Sequence, residues 1–97
     1  MLDRYVAKNG EKTAYRVIDD EAVIVDLEDS TFHALNPVAT FIWEQMNGRT
    51  RVEEIVERVC QEFEVTRETA EKDCREFIEA LKRREMIVLS SDPFEKA

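Results

Sequence analysis

The spacing of apolar residues changes once along this chain, at the dipeptide Asn36-Pro37. Before it, apolar residues recur at every second position, as in a strand with one buried face, at Val23, Val25 and Leu27. After it, they recur at helical spacing, at Val38, Phe41, Ile42 and Met46. Asn36-Pro37 is itself a helix start, because asparagine is a favoured N-cap residue and proline suits the first helical position. The sequence therefore predicts strands in the first third of the chain and helices after it.

Polar turns divide the first third of the chain into three short strands. Residues 14–18 are rich in aromatic and β-branched side chains and are followed by an acidic turn at 19–21. Residues 22–27 form the second strand, and the polar residues 28–30 separate it from a third strand at 31–35. Because such short connections join antiparallel neighbours, we predict a three-stranded antiparallel meander.

Three amphipathic helices are predicted after the meander. The first begins at Asn36-Pro37 and ends at Asn47-Gly48, where asparagine or glycine tolerates a positive φ. The second opens with the capping-box pattern Thr50-Arg51-Val52-Glu53. The third starts at Val65-Thr66 and ends near Lys82-Arg83-Arg84, whose positive charges suit the C-terminus of a helix.

These elements define an α+β fold of the winged-helix-like class, a three-stranded antiparallel meander followed by a three-helix bundle (β-β-β-α-α-α). We expect a single domain over residues 1–97, because a chain of 97 residues supports one hydrophobic core. Its ordered part is predicted to span about residues 12–89 and to include a short closing strand at 87–89. Residues 1–10 are either a loose arm or a short first strand, and residues 90–97 are expected to form a flexible tail.

The expected core joins the apolar face of the meander to the helices. Its predicted members are Val23, Val25, Leu27, Leu35, Ile42, Val56, Phe77 and Leu81. Cys60 and Cys74 also fall at apolar helical positions, so we predict buried free thiols rather than a disulfide.

The reactive side chains are too few for most kinds of catalytic or metal site. One histidine, His33, and two cysteines without CxxC or HxxxH spacing make a poor zinc set. Only two glycines occur, Gly10 and Gly48, which excludes a glycine-rich loop for phosphate. No nucleophile has an evident partner base. We therefore expect no enzyme activity, no metal and no cofactor.

The charge of the chain limits its partners. With 14 basic and 22 acidic residues, the net charge is −8, and such a surface repels phosphate. No apolar run approaches the roughly 18 residues of a membrane span, and no signal-peptide pattern opens the chain. We therefore expect a cytoplasmic protein that binds neither nucleic acid nor membrane.

A set of residues that runs from the third strand to the third helix resembles the PqqD family. The set comprises residues 32–39, 42–44, 47–48 and 50–55, together with Asp73, Phe77 and Leu81. The resemblance implies a RiPP recognition element, a non-catalytic chaperone that binds the leader of a ribosomally synthesised precursor peptide. It also implies a maturation enzyme as partner, such as a radical SAM enzyme, a leader peptidase or a cyclase. Whether the product is pyrroloquinoline quinone, a lasso peptide or another modified peptide stays open.

The expected binding site is the third strand and the groove that, in this family, lies against the third helix. If the third strand is an edge, its unpaired N–H and C=O groups accept an extended peptide as an added strand. The family position Asp73 selects one flank of the helix as the wall of the groove. The candidate peptide-binding residues are therefore Thr31, Phe32, His33, Ala34, Leu35, Asp73, Glu76, Phe77, Ala80 and Arg84.

Two other functions remain as alternatives, and the oligomeric state is open. A winged-helix DNA-binding regulator would place the third helix in the major groove. Residues 66–84, however, carry six basic and five acidic residues, so most phosphate contacts would lie beside a carboxylate. The other alternative is a structural adaptor, in which a second copy or the N-terminal arm covers the third strand.

Overall fold

The computed structural model describes residues 1–95, which form six strands and three helices. The strands are β1 (Tyr5–Lys8), β2 (Thr13–Ile18), β3 (Glu21–Asp26), β4 (Thr31–Ala34), β5 (Asn47–Arg51) and β6 (Ile87–Ser90). The helices are α1 (Pro37–Glu44), α2 (Val52–Phe63) and α3 (Arg67–Arg83). The predicted α+β fold, with its antiparallel meander β2–β3–β4 and its three helices, is confirmed.

A second antiparallel sheet, in the order β5–β1–β6, was not predicted. Its central strand β1 pairs Tyr5 with Arg51 on one side and with Ser90 on the other. Val6 is fully buried at its centre. Of the two alternatives for residues 1–10, the short first strand is therefore correct, and an ordered part that begins near residue 12 is wrong.

The segment between α1 and α2 also differs from the prediction. Helix α1 ends at Glu44, and Asn47 and Gly48 lie in β5 instead of closing the helix. Helix α2 begins one residue later than predicted: Arg51 is its N-cap, and the Arg51 N–H donates to Glu54 Oε1 at 3.0 Å. Thr50, the predicted cap, is buried in β5. Pairing with β1 thus overrides the local capping pattern.

Strand β3 buries the face opposite to the predicted one. Ala22, Ile24 and Asp26 are buried, whereas Val23 and Val25 are only partly buried and Leu27 is 52% exposed. Residues 22–25 are four consecutive apolar residues, so alternation alone fits either face. The choice between the two faces is made by packing against the helices, which sequence periodicity does not report.

The core lies between the two sheets and the three helices. Its buried members include Val6, Ile24, Ile42, Trp43, Met46, Ile55, Val56, Val59, Ala70, Cys74, Ile78, Leu81 and Met86. Of the predicted core residues, Ile42, Val56 and Leu81 are buried, and Leu35 and Phe77 pack against the core while partly exposed. Cys74 is a buried free thiol as predicted, while Cys60 is a free thiol that is only partly buried.

The C-terminal segment returns to the second sheet. The Phe94 N–H donates to the Gly48 carbonyl oxygen at 2.9 Å, and the Phe94 ring lies over that glycine. The predicted flexible tail is thus attached at Phe94, and Lys96 and Ala97 lie outside the described residues. Gly48 has φ +80°, and a Cβ placed on it would stand 2.9 Å from the Phe94 Cβ. The position accordingly needs glycine for both its φ and its lack of a side chain.

We expect Gly48→Ala to lower the free energy of unfolding by about 1–3 kcal/mol, because alanine strains the positive φ and displaces Phe94. Urea unfolding followed by the fluorescence of the single tryptophan, the buried Trp43, measures this change. The matched control is Gly10→Ala, since no atom lies within 4 Å of a Cβ placed there. Equal stability of the two variants would contradict the requirement for glycine at position 48.

Candidate functional site

Strand β4 forms an open edge of the meander. Within residues 1–95 it pairs with β3 alone. The Leu35 N–H donates to the Ala22 carbonyl at 2.8 Å, and antiparallel pairs alternate between bonded and non-bonded. The N–H and C=O groups of Phe32 and Ala34 therefore point away from β3. An incoming strand would meet these four backbone groups.

The side chains of β4 divide between two faces of the meander. His33 lies opposite the buried Ile24, so His33 and Leu35 project on the inner side, toward α3. His33 Nε2 stands 3.2 Å from the Thr31 hydroxyl. Phe32 lies opposite Val25 on the outer side and is 71% exposed. A strand added at β4 would thus place alternate side chains beside His33 and Leu35, in front of α3.

Two depressions line the boundary between α3 and β4. The first, here called the Arg84 pocket, has a volume of about 400 Å³ and is lined by Phe32, His33, Ala34, Leu35, Phe77, Ala80, Leu81, Arg84 and Met86. The second, here called the Asn36 pocket, has a volume of about 420 Å³ and is lined by Asn36, Val38, Ala39, Ile42, Asp73, Glu76 and Phe77. Phe77 belongs to both linings, so the two pockets are neighbours along one groove.

The structure brings nine of the ten expected site residues to these pockets. The tenth, Thr31, starts β4 and lies outside both linings. Sequence reasoning missed the contribution of α1, which supplies Val38, Ala39 and Ile42 to the Asn36 pocket. The only sequence signal for that contribution is the helical spacing of Val38 and Ile42, which indicates burial without naming a ligand.

The Arg84 pocket is bounded by an ion-pair cluster. Arg84 Nη1 lies 3.8 Å from Asp26 Oδ2 and 3.7 Å from Asp29 Oδ2, so it ties the end of α3 to the turn before β4. Asp29 Oδ1 also accepts hydrogen bonds from the Thr31 N–H at 3.0 Å and the Thr31 hydroxyl at 2.6 Å. These bonds from Thr31, with a smaller contribution from Arg84, lower the pKa of Asp29. The charge of Arg84 is thus already balanced by two carboxylates.

The Asn36 pocket is acidic. Its rim has two exposed carboxylates, Asp73 and Glu76, and neither forms an ion pair within the described part of the chain. No basic side chain lines it. The Asn36 side chain is committed to capping α1, since its Oδ1 accepts from the Ala39 N–H at 2.8 Å.

Two observations bear on the reactive side chains of the described residues. Within residues 1–95, no three His, Cys, Asp or Glu side chains are grouped to hold a metal ion. Burial raises the pKa of the Cys74 thiol to about 12, with a smaller effect of Asp73, so this thiol stays protonated near neutral pH.

A larger depression, of about 640 Å³, lies elsewhere on the molecule. It is lined by Met1, Arg4, Asn9, Lys82, Glu85, Ile87, Val88 and Leu89, beside the edge strand β6. None of the expected site residues belongs to it, and it is separate from the groove at β4.

Two comparisons with known proteins found proteins similar to this chain. The family model described as "Coenzyme PQQ synthesis protein D (PqqD)" matches residues 21–87, from the start of β3 to the first residue of β6. A solved structure, "TbiB1 in Complex with the TbiA(beta) Leader Peptide", is similar to the chain with 34% sequence identity and a TM-score of 0.75. That match covers 84% of this chain and 93% of TbiB1. No curated protein matches the chain.

No helix within residues 1–95 combines the length and the apolar character that crossing a membrane requires.

Arg84 has a structural role that the sequence did not indicate, and we expect its loss to be measurable. Arg84→Gln leaves the buried Asp26 carboxylate without its ion pair, which should lower the free energy of unfolding by about 1–2 kcal/mol. Because about half of the Arg84 side chain is exposed, this loss of stability should be smaller than that caused by breaking a fully buried ion pair. Arg83→Gln is the matched control, because the neighbouring Arg83 is exposed and forms no ion pair within residues 1–95. Equal midpoints of thermal unfolding for the two variants would contradict the structural role of Arg84.

Proposed function

The chain belongs to the PqqD family, and on this basis we propose that it binds the leader of a ribosomally synthesised precursor peptide. The leader adds as a fourth strand at β4, beside the groove that β4 forms with α3. The observation that carries the proposal is the open edge of β4 next to two side-chain pockets. The similar TbiB1 structure, which is a complex with a leader peptide, supports the same role.

Backbone pairing gives the complex its geometry and part of its affinity. The outward N–H and C=O groups of Phe32 and Ala34 provide up to four hydrogen bonds, each worth about 1 kcal/mol net. These hydrogen bonds involve only backbone groups of the leader, so they do not select for its sequence.

The pockets supply the selectivity. Two aliphatic anchors of about 100 Å² each would contribute about 5 kcal/mol gross if both are buried in the groove. After the cost of ordering the peptide, the sum corresponds to micromolar to nanomolar affinity.

The bound leader leaves the rest of the precursor accessible to a modifying enzyme. Side chains of the added strand that do not enter the groove project on the outer side of the meander, next to Phe32 and Ala34. A radical SAM enzyme, a leader peptidase or a cyclase approaching from that side meets the leader and the meander together. In this proposal the chain itself performs no chemistry, and it presents the peptide to the enzyme.

The DNA-binding alternative has no support in the geometry. The exposed flank of α3 carries Asp73 and Glu76 at one end, and at the other end Arg84 is held by Asp26 and Asp29. With a net charge of −8 for the whole chain, this flank opposes a phosphate backbone.

We expect Ala34→Pro to weaken leader binding at least about tenfold, because proline removes an outward N–H and obstructs the edge. The fold should survive, since proline is tolerated in an edge strand where its nitrogen faces away from the sheet. Fluorescence anisotropy with a labelled precursor leader peptide measures the affinity. Circular dichroism confirms that the variant is folded.

Val17→Pro is the matched control, because β2 is the other edge of the same meander. The Leu27 N–H donates to the Lys12 carbonyl, so alternation directs the Val17 N–H away from β3 as well. The control should bind the leader like the unmodified protein. Loss of binding in the control alone would move the site to β2, and equal affinity of all three proteins would exclude strand addition at β4.

A further inference from the structure

The Asn36 pocket combines two properties that point to one kind of side chain. Its floor is apolar, formed by Val38, Ala39 and Phe77, with the buried Ile42 beneath them. Its rim is acidic, because Asp73 and Glu76 stand one helical turn apart on α3 without an ion pair in the described chain. An aliphatic residue would bury the floor and leave both carboxylates without a partner. A side chain with an apolar stem and a positive end satisfies both parts.

We propose that the Asn36 pocket takes a lysine or arginine side chain of the leader, so that the leader carries a basic residue as one of its two anchors. This inference rests on the proposed function and specifies the peptide that the groove selects. The Arg84 pocket takes the other anchor, an uncharged apolar residue. Arg84 does not favour an acidic side chain in that pocket, because Asp26 and Asp29 already neutralise the charge of Arg84.

For a leader that adds antiparallel to β4, the geometry gives the order and the spacing of the two anchors. Along α3, the linings of the two pockets are offset by about five residues, which corresponds to about 8 Å of helix. A strand advances about 3.3 Å per residue and places every second side chain on the same face, so the anchors stand two or four residues apart. Every strand pair in the described chain is antiparallel, and a leader added in the same sense passes Asn36 before it reaches Thr31. The basic anchor therefore precedes the apolar one.

A library of phage-displayed random 12-residue peptides tests this proposal, and it does not require that the leader be identified first. The unmodified protein should enrich peptides with lysine or arginine two or four residues before an apolar residue. The double variant Asp73→Asn/Glu76→Gln should retain the apolar anchor and lose the basic preference. Glu79→Gln is the matched control, since Glu79 is an exposed α3 carboxylate that lines neither pocket, and it should select like the unmodified protein.

A single enriched peptide is then used to measure how much the positive charge of its basic anchor contributes to binding. Replacing its basic anchor by methionine keeps an unbranched apolar stem and removes the positive end. We expect about fivefold to tenfold weaker binding to the unmodified protein and less than about twofold to the double variant, as for a rim ion pair with a partly buried stem.

The outcomes separate this inference from the proposed function. Enrichment of an apolar anchor with no basic preference, or a basic preference that survives in the double variant, overturns the inference and leaves leader binding intact. The failure of any peptide to be enriched, or enrichment that Ala34→Pro does not abolish, overturns both.

Discussion

The buried stripe of α3 is the contact on which the groove depends. Ala70, Cys74, Ile78 and Leu81 lie on one face of the helix and pack into the core. Because this face is fixed, the adjoining flank with Phe77 is held beside β4 at a set distance. The edge of β4 and the wall of the groove are therefore consequences of the same packing. A substitution that loosens this packing would therefore change the affinity for a peptide, even though the substituted residue does not touch the peptide.

Much of the fold follows from local signals, and the remainder depends on pairing between distant residues. The periodicity, the polar turns and the N-cap at Asn36 indicate the meander and the three helices. The sequence left β1 as one of two alternatives and did not predict β5, because each strand has at most five residues and the two pair with each other across about forty residues of chain. The buried face of β3 was predicted wrongly for a related reason. Its apolar run satisfies both faces, and the outer one keeps Val25 beside the exposed Phe32.

The candidate site divides in the same way. The strand residues and the flank of α3 follow from the resemblance to the PqqD family together with the helical repeat. The acidic Asn36 pocket could not be predicted from these signals, because Ile42 and Asp73 share a cavity only once α1 packs against α3. Arg84 shows the converse case. Its position on the groove was expected, but its ion pairs with Asp26 and Asp29 depend on where the turn before β4 lies.

An open edge strand is normally a liability, because it can pair with the same edge of a second copy. Here the net charge of −8 acts against such pairing, since two copies brought together at β4 repel each other. Repulsion between exposed charges reaches only about 8 Å at physiological ionic strength, so the unpaired carboxylates of the Asn36 pocket, Asp73 and Glu76, contribute to it only at close approach. A peptide with a basic anchor is attracted by the same groups. Under the proposed selection of a basic leader, acidic charge beside β4 would disfavour self-association and favour the leader, and raising the salt concentration should weaken both effects together.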